Sequence, residues 1–422
     1  VRHLIWSFFE RFFPRAASSA ITLILATFLS PAGIGVYSWV IIGLTFYQSV
    51  TDAAVRQIAV PSVSGHAGLN FLRKYSWWSA VSGGLALVAL LLVLALTLPN
   101  HISGQAWLLL PVVVIPAVTA VRAKYVAYLQ KGSEWRLLAG AQLFAAAFSF
   151  AVSIPLLILT RSLLATAIQL ALTEFWFSAQ VILAARKKGW ARYAQALPQG
   201  DSPAREFRHI SAYSLLGWLQ GQGDRLLIAL MTGPATLGLY AFAWSLSRSV
   251  GDAVSNSTAN VLRPVIVQSP KLSSKEIARN ADRLLLRSLV MSAAIVIVTS
   301  TVSKYVMPLI LDRSWDSSLN LVPIMSLSII PTLLAWSLTV ILMATGSLRW
   351  ATPIKGVGVG LGVVVAFAAL VNLELAAWVL VLRETIVLGL MLLVARAAVP
   401  WKAVNAGFAL LGILSILTLI VF

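Results

Sequence analysis

Apolar runs of about 20 residues, parted by short polar connections, recur from one end of this chain to the other. That is the length an α-helix needs to cross ~30 Å of hydrocarbon. In lipid every backbone N–H and C=O must be satisfied internally, so such runs can only be helices. They fall at about 16–30, 36–59, 77–98, 106–128, 138–159, 163–185, 210–232, 236–262, 284–307, 320–345, 351–371, 375–395 and 403–422. The pattern predicts an all-α polytopic membrane protein of 12–13 spans. Charged residues make up 11% of the 422, against about 25% in a soluble domain, so lipid must solvate most of the surface. The run beginning near Ala16 follows Arg2, Arg11 and Arg15 as a signal peptide would. Its small residues precede the apolar core rather than follow it, so it reads as a span.

The net charge of +18 would suit a nucleic-acid partner, but its placement does not. Lys and Arg gather in alternate connections: Arg73 and Lys74, Lys131 and Arg136, six over 186–209 and five over 263–283. The intervening connections carry Arg161, Lys304 and Arg313. Basic loops stay on the cytoplasmic side, so the N-terminus is expected to be cytoplasmic and the location a bacterial inner membrane. Within 263–283 the spacing of Lys275, Glu276, Arg279, Asp282 and Arg283 around Ile277 and Leu284 predicts a short amphipathic surface helix. Pro111, Pro116, Pro155, Pro323 and Pro331 predict kinked spans. No cysteine, no clustered histidine and no Walker-type loop is present, so neither a metal nor a nucleotide cofactor is expected. Trp77, Trp78, Trp107, Trp135, Trp190, Trp315, Trp350 and Trp401 fall near span ends, where indoles anchor at the interface; stacking on sugar is open to Trp39, Trp244 or Trp315.

The two halves echo each other. Ser30-Pro31-Ala32-Gly33-Ile34-Gly35-Val36-Tyr37 is answered 203 residues later by Gly233-Pro234-Ala235-Thr236-Leu237-Gly238-Leu239-Tyr240, and Val60-Pro61 by Arg263-Pro264 at the same offset. Proline and glycine mark tight turns anywhere, but six spans between copies on the same side make an internal repeat the better reading. It predicts two pseudo-symmetric six-helix lobes around a central cavity, related by an axis along the membrane normal. The expected boundaries are 1–195 for the N-terminal lobe, 196–209 for a cytoplasmic linker, 210–400 for the C-terminal lobe and 401–422 for an additional helix.

The stretches SPAGIGVY, GDRLLIALMTGPATLGLYAFAWSL and DRSWDSSLNLVPIMSLSIIP resemble the polysaccharide flippase (O-antigen translocase) family of the multidrug/oligosaccharidyl-lipid/polysaccharide exporter superfamily. The resemblance implies alternating access that moves undecaprenyl-pyrophosphate-linked oligosaccharide across the inner membrane for lipopolysaccharide or exopolysaccharide export. Membrane lipids, and a polysaccharide polymerase with its export machinery, would be the partners.

Charges inside spans are costly and become functional candidates. Asp52 with Arg56, and Arg248 with Asp252, stand four apart on one helical face, where charge compensation and substrate binding are both open. Asp224 and Arg225 follow the polar run Gln220-Gly221-Gln222-Gly223, and Glu174 stands alone in its span. Arg56, Arg225 and Arg248 flank the repeated hairpins, and a guanidinium binds phosphate bidentately with a permanent charge. They are the substrate-binding candidates; Asp52, Glu174, Asp224 and Asp252 are charge-pair or ion-coupling candidates. Arg383 and Glu384 lie in the twelfth span with no role assigned.

Two other functions compete. A cation-coupled multidrug exporter needs cavity acids, whereas arginines here at least match the acids. A membrane-embedded glycosyltransferase or polymerase needs a large outward loop, and the longest, 307–319, holds Asp312, Arg313 and Asp316 alone among acids and bases. The sequence therefore favours a transporter over an enzyme.

Overall fold

The computed structural model describes residues 20–49, 66–97, 107–132, 134–189, 204–267, 273–344 and 350–421. Regular structure among them is helical throughout. After helical turns at 20–26 come α1 (Pro31–Tyr47), α2 (His66–Thr97), α3 (Ile115–Lys131), α4 (Trp135–Thr160) and α5 (Leu163–Lys187). These are followed by α6 (Ala204–Thr232), α7 (Pro234–Val267), α8 (Ser274–Thr301), α9 (Asp316–Leu327) and α10 (Ile329–Ala344). The last three are α11 (Ala351–Val371), α12 (Leu373–Ala395) and α13 (Trp401–Val421).

Nine helices or joined helices among the described residues are long and apolar enough to cross a membrane. The long helices α6 and α7 fall short of that standard on composition rather than length. They carry Gln220, Gln222, Asp224, Arg225, Arg248 and Asp252, and it is these residues that build the site below. Asp52 and Arg56 lie outside the described residues.

The chain divides into two compact units. One comprises Val36–Trp218 with residues 1–17; the other comprises Ser18–Gly35 and Leu219–Phe422. The first unit packs α2, α3, α4 and α5 against one another. Pro116 has no N–H to continue the helix inward, and its own carbonyl takes a 2.9 Å hydrogen bond from the Tyr47 hydroxyl. Ser79 donates in turn to Tyr47 at 3.3 Å.

In the second unit α7, α9, α10 and α12 enclose the core, around Leu333, Leu338, Ile341 and Leu380. Pro331 cannot donate to the Leu327 carbonyl, so the tenth span parts into α9 and α10 at Ser328, whose N–H donates to the Met325 carbonyl at 3.1 Å. Pro155, by contrast, sits inside an unbroken α4. The surface helix expected over 263–283 is not a separate element. Lys275 to Arg283 form the first turns of α8, started by a reciprocal capping box between Ser273 and Glu276, and the helix runs on into the apolar segment. Trp315, expected at an interface, is fully buried with its ring 4.7 Å from that of Phe242.

The two repeated hairpins meet inside this unit. Ile34 N–H donates to the Ser30 carbonyl and Leu237 N–H to the Gly233 carbonyl, each at 3.2 Å. Gly233 closes α6 with φ of 86°, a conformation that glycine adopts freely. A Cβ on Gly35 would stand 1.7 Å from the Pro234 carbonyl oxygen, and one on Gly238 would stand 1.8 Å from that of Pro31. Each hairpin thus supplies the carbonyl that the other's glycine covers, the reciprocity a local two-fold rotation produces.

The start of α13 is held from outside. The Asp282 carboxylate on α8 accepts the Ala403 N–H at 2.9 Å, doing for α13 what an N-cap residue does from within. Asp282→Ala should therefore cost about 1 kcal/mol. A lowered midpoint in thermal unfolding of the purified protein, with faster proteolysis at the α12–α13 junction, is the expected reading.

Candidate functional site

The candidate site lies in the second unit, where α6, α7 and α12 bring ionised groups together inside an apolar core and α10 adds a hydroxyl. Arg383, in the middle of α12, is 1% exposed and is among the largest fully buried side chains. Its Nη2 lies 2.7 Å from Glu384 Oε1 and its Nη1 3.5 Å from Asp224 Oδ2. Asp224 is wholly buried; its Oδ2 also accepts the Tyr240 hydroxyl at 3.1 Å, and its Oδ1 accepts the Arg225 N–H at 2.8 Å. Room for this arrangement comes from α11. Gly358 packs on the side chain of Gln220, and a Cβ on Gly362 would touch Arg383 Nη1 at 3.5 Å, whereas Gly356 and Gly360 meet nothing. The alternating glycines are a close-approach face with an open back.

Arg248 extends the network from α7. It pairs with Asp252 at 3.2 Å and with Glu384 at 3.7 Å. It also donates to the Ser328 hydroxyl at 3.2 Å and to the Thr332 hydroxyl at 3.1 Å. The helix break at Ser328 thus has a use, since it places that hydroxyl at the guanidinium. Among the described residues Arg248 is engaged on both of its terminal nitrogens by protein groups.

Arg225 is different. No carboxylate of the described residues lies within ion-pair distance of it. Its Nη2 donates to the Gly221 carbonyl at 3.2 Å, its Nε is buried without a hydrogen-bond partner among the described residues, and the side chain as a whole is half-buried. The guanidinium is held by stacking: Arg225 and Arg248 each stand 4.6 Å from the Trp244 ring. Among the described residues the guanidinium is therefore fixed in orientation without a carboxylate at ion-pair distance.

The remaining candidates are placed elsewhere. Glu174 is not alone: in the first unit it is ion-paired with Arg122 and accepts from Gln48 at 3.4 Å, while Arg122 also reaches Ser178 at 3.3 Å and covers the Phe177 ring. Sequence reasoning assigned nothing to Arg383 and Glu384, although two adjacent charges in the middle of LELAAWVLVLRETIVLGLMLLVA were signal enough. It had no means of finding Tyr240, Ser328 or Thr332, whose hydroxyls are ordinary until the helices assemble.

A family model described as polysaccharide biosynthesis protein matches residues 24–320, well over half of the chain. The chain belongs to that family. Among solved structures it is similar to the lipid II flippase MurJ in an inward closed conformation. That likeness has 10% identity and a TM-score of 0.66, and covers 97% of this chain and 93% of that one. It is also similar to the eukaryotic MATE transporter AtDTX14, at 14% identity and a TM-score of 0.60, over 97% and 98% of the two chains. A multidrug/oligosaccharidyl-lipid/polysaccharide superfamily transporter from Pyrococcus furiosus matches at 10% identity and a TM-score of 0.56, over 93% and 94%. At such identities the likeness shows a shared fold. No curated protein sequence matches at the same stringency.

Proposed function

We propose that this member of the polysaccharide biosynthesis family is a flippase, not an enzyme. Its cargo would be undecaprenyl-pyrophosphate-linked oligosaccharide, moved by alternating access across a bacterial inner membrane with the N-terminus in the cytoplasm. The observation that supports the anionic cargo is Arg225: a half-buried guanidinium, stacked on Trp244, with no carboxylate partner among the described residues. Lipid-linked sugars present a pyrophosphate at the headgroup, and a guanidinium binds phosphate oxygens in pairs. Arg248, whose two terminal nitrogens are engaged by Asp252, Glu384, Ser328 and Thr332, supports Arg225 through the shared indole rather than meeting the substrate itself. The same geometry disfavours a drug exporter for cations. Asp224, Asp252 and Glu384 are each already paired with arginine, which leaves no acid in the network to attract a cation.

The test is polysaccharide export in a strain that lacks its own flippase, complemented at matched protein level. Arg225→Ala should lose a charge-assisted contact of about 1.5–3 kcal/mol, a roughly ten- to hundredfold drop in affinity. Arg225→Lys should recover part of it, because the ammonium keeps the charge and loses the fork. Normal export by Arg225→Ala would refute the assignment.

A further inference from the structure

The polar start of α8 takes no part in the network above. Arg279, Arg283 and Arg287 recur every fourth residue, so they form a ladder along one face of the helix, about 12 Å from first to last at 1.5 Å per residue. All three are exposed. The opposite face, with Ala281, Leu285, Ser288 and Ser292, is the one α8 buries against the rest of the second unit.

The acids that could neutralise the ladder are engaged elsewhere. Glu276 Oε2 accepts both the N–H and the hydroxyl of Ser273 at 2.9 Å in the capping box. Asp282 Oδ1 accepts the Ala403 N–H at 2.9 Å. Among the described residues no carboxylate lies within ion-pair distance of Arg279, Arg283 or Arg287. Arg279 still feels the charge of Glu276 just before it, which leaves Arg283 and Arg287 the less compensated.

Arg287 decides what kind of counter-ion fits. It stands beyond Leu284, Leu285 and Leu286, inside the apolar segment. Its face continues through Val290, Ala294 and Ile297, with Val290 72% and Ile297 54% exposed. A guanidinium on an exposed face at that depth is costly unless it reaches the interface or meets an anion there. A soluble phosphate would answer the charge and leave the apolar stripe unused. A phospholipid answers both, since its phosphodiester carries the anion and its acyl chains start directly below it.

We propose that this face of α8 is a binding site for an anionic phospholipid of the leaflet at which the helix begins. The phosphodiester lies between Arg283 and Arg287, which bind its oxygens through their forks, and the acyl chains lie along Val290 and Ile297. Arg279 meets the outer part of the headgroup. A choline or ethanolamine headgroup would bring an ammonium among these cations, so a headgroup without one is preferred. The site borders the entry of α13. Asp282 meets Ala403, and Leu289 Cδ2 lies 3.6 Å from where a Cβ on Gly407 would stand, so α13 runs parallel to α8 from the level of the ladder. Exposed Lys402 adds a cation at that level.

The test is native mass spectrometry of the intact protein in non-ionic detergent, offered phosphatidylglycerol and phosphatidylcholine of the same acyl chains in equal amounts. A preference of about tenfold or more for phosphatidylglycerol is expected at the first bound lipid, because each arginine at an anionic headgroup is worth about fivefold. Arg283→Gln with Arg287→Gln should bring the ratio close to one, and Arg283→Lys with Arg287→Lys should retain part of the preference. Arg186→Gln with Lys187→Gln, which removes two exposed cations from the end of α5, should leave the ratio unchanged. Millimolar dimethyl phosphate, the same anion without chains, should not displace the lipid. A parent protein without preference would overturn the site. Equal losses in the two glutamine doubles would make the preference a matter of overall charge and overturn it as well. Displacement by dimethyl phosphate would assign the arginines to a soluble anion and not to lipid.

Discussion

Alanine at Gly35 or at Gly238 is expected to cost this protein most of its folded yield. The added Cβ would lie 1.7 or 1.8 Å from a proline carbonyl oxygen, less than the separation of any non-bonded pair. A clash with a flexible side chain can be relieved by a change of rotamer, but here the obstacle is backbone, and backbone in a helical first turn. The two hairpins would have to part by an ångström or more, opening the close packing around buried Ile34 and Leu237. Overpacking in a well-packed core costs about 1–3 kcal/mol where the surroundings can adjust; a backbone obstacle puts this case at or above the top of that range. Gly360→Ala is the matched control. Its Cβ meets nothing within 4 Å, and alanine outranks glycine in a helix interior by roughly 1 kcal/mol. Fluorescence-detected size exclusion and thermal unfolding of the three variants would check this. Normal yield and midpoint for Gly35→Ala would mean that the hairpins do not touch.

Removing Arg383 should be the most damaging single change of charge. It faces Asp224 and Glu384 from a position 1% exposed, so Arg383→Ala leaves buried Asp224 without its arginine and Glu384 with Arg248 alone, at 3.7 Å. Breaking a buried pair in this way typically costs about 3–5 kcal/mol, because the stranded charge cannot regain water. The Asp224→Asn and Glu384→Gln changes made together with Arg383→Ala remove the stranded charges and should recover much of the loss. Stability should therefore be lower in the single variant than in the triple one, an ordering opposite to the number of substitutions. Thermal unfolding in one detergent measures it, and a triple variant less stable than the single would show that Arg383 holds α12 by packing and not by charge.

The helices were legible in the sequence because their cause is local. A run of about twenty apolar residues carries its own reason to span lipid, and proline at 331 carries its own reason to break a helix. The Arg248–Asp252 pair was legible for the same reason, since four residues is one helical turn. The rest of the network was not. Arg383 and Asp224 are 159 residues apart in the chain, and Arg122 and Glu174 are 52 apart, so no periodicity connects them. Even adjacent positions mislead. Asp224 and Arg225 read as one feature, yet a helix turns about 100° per residue, sending the acid to Arg383 and Tyr240 and the base to Trp244. Hydropathy, the strongest signal elsewhere, is weakest over α6 and α7 because the residues that form the site are the ones that lower it.

The carboxylate of Asp282 waits for its partner. Ala403 follows it by 121 residues, so when α8 first leaves the ribosome the N–H that Asp282 will accept does not yet exist. At about 5–20 residues per second the interval is on the order of ten seconds. During that time α9 to α12 must be threaded into lipid while Asp282 keeps its water. The acid sits in the polar first turns of α8, beside Arg279 and Arg283 and ahead of the apolar segment. The contact that fixes the start of α13 can therefore form only after the rest of the second unit has been made.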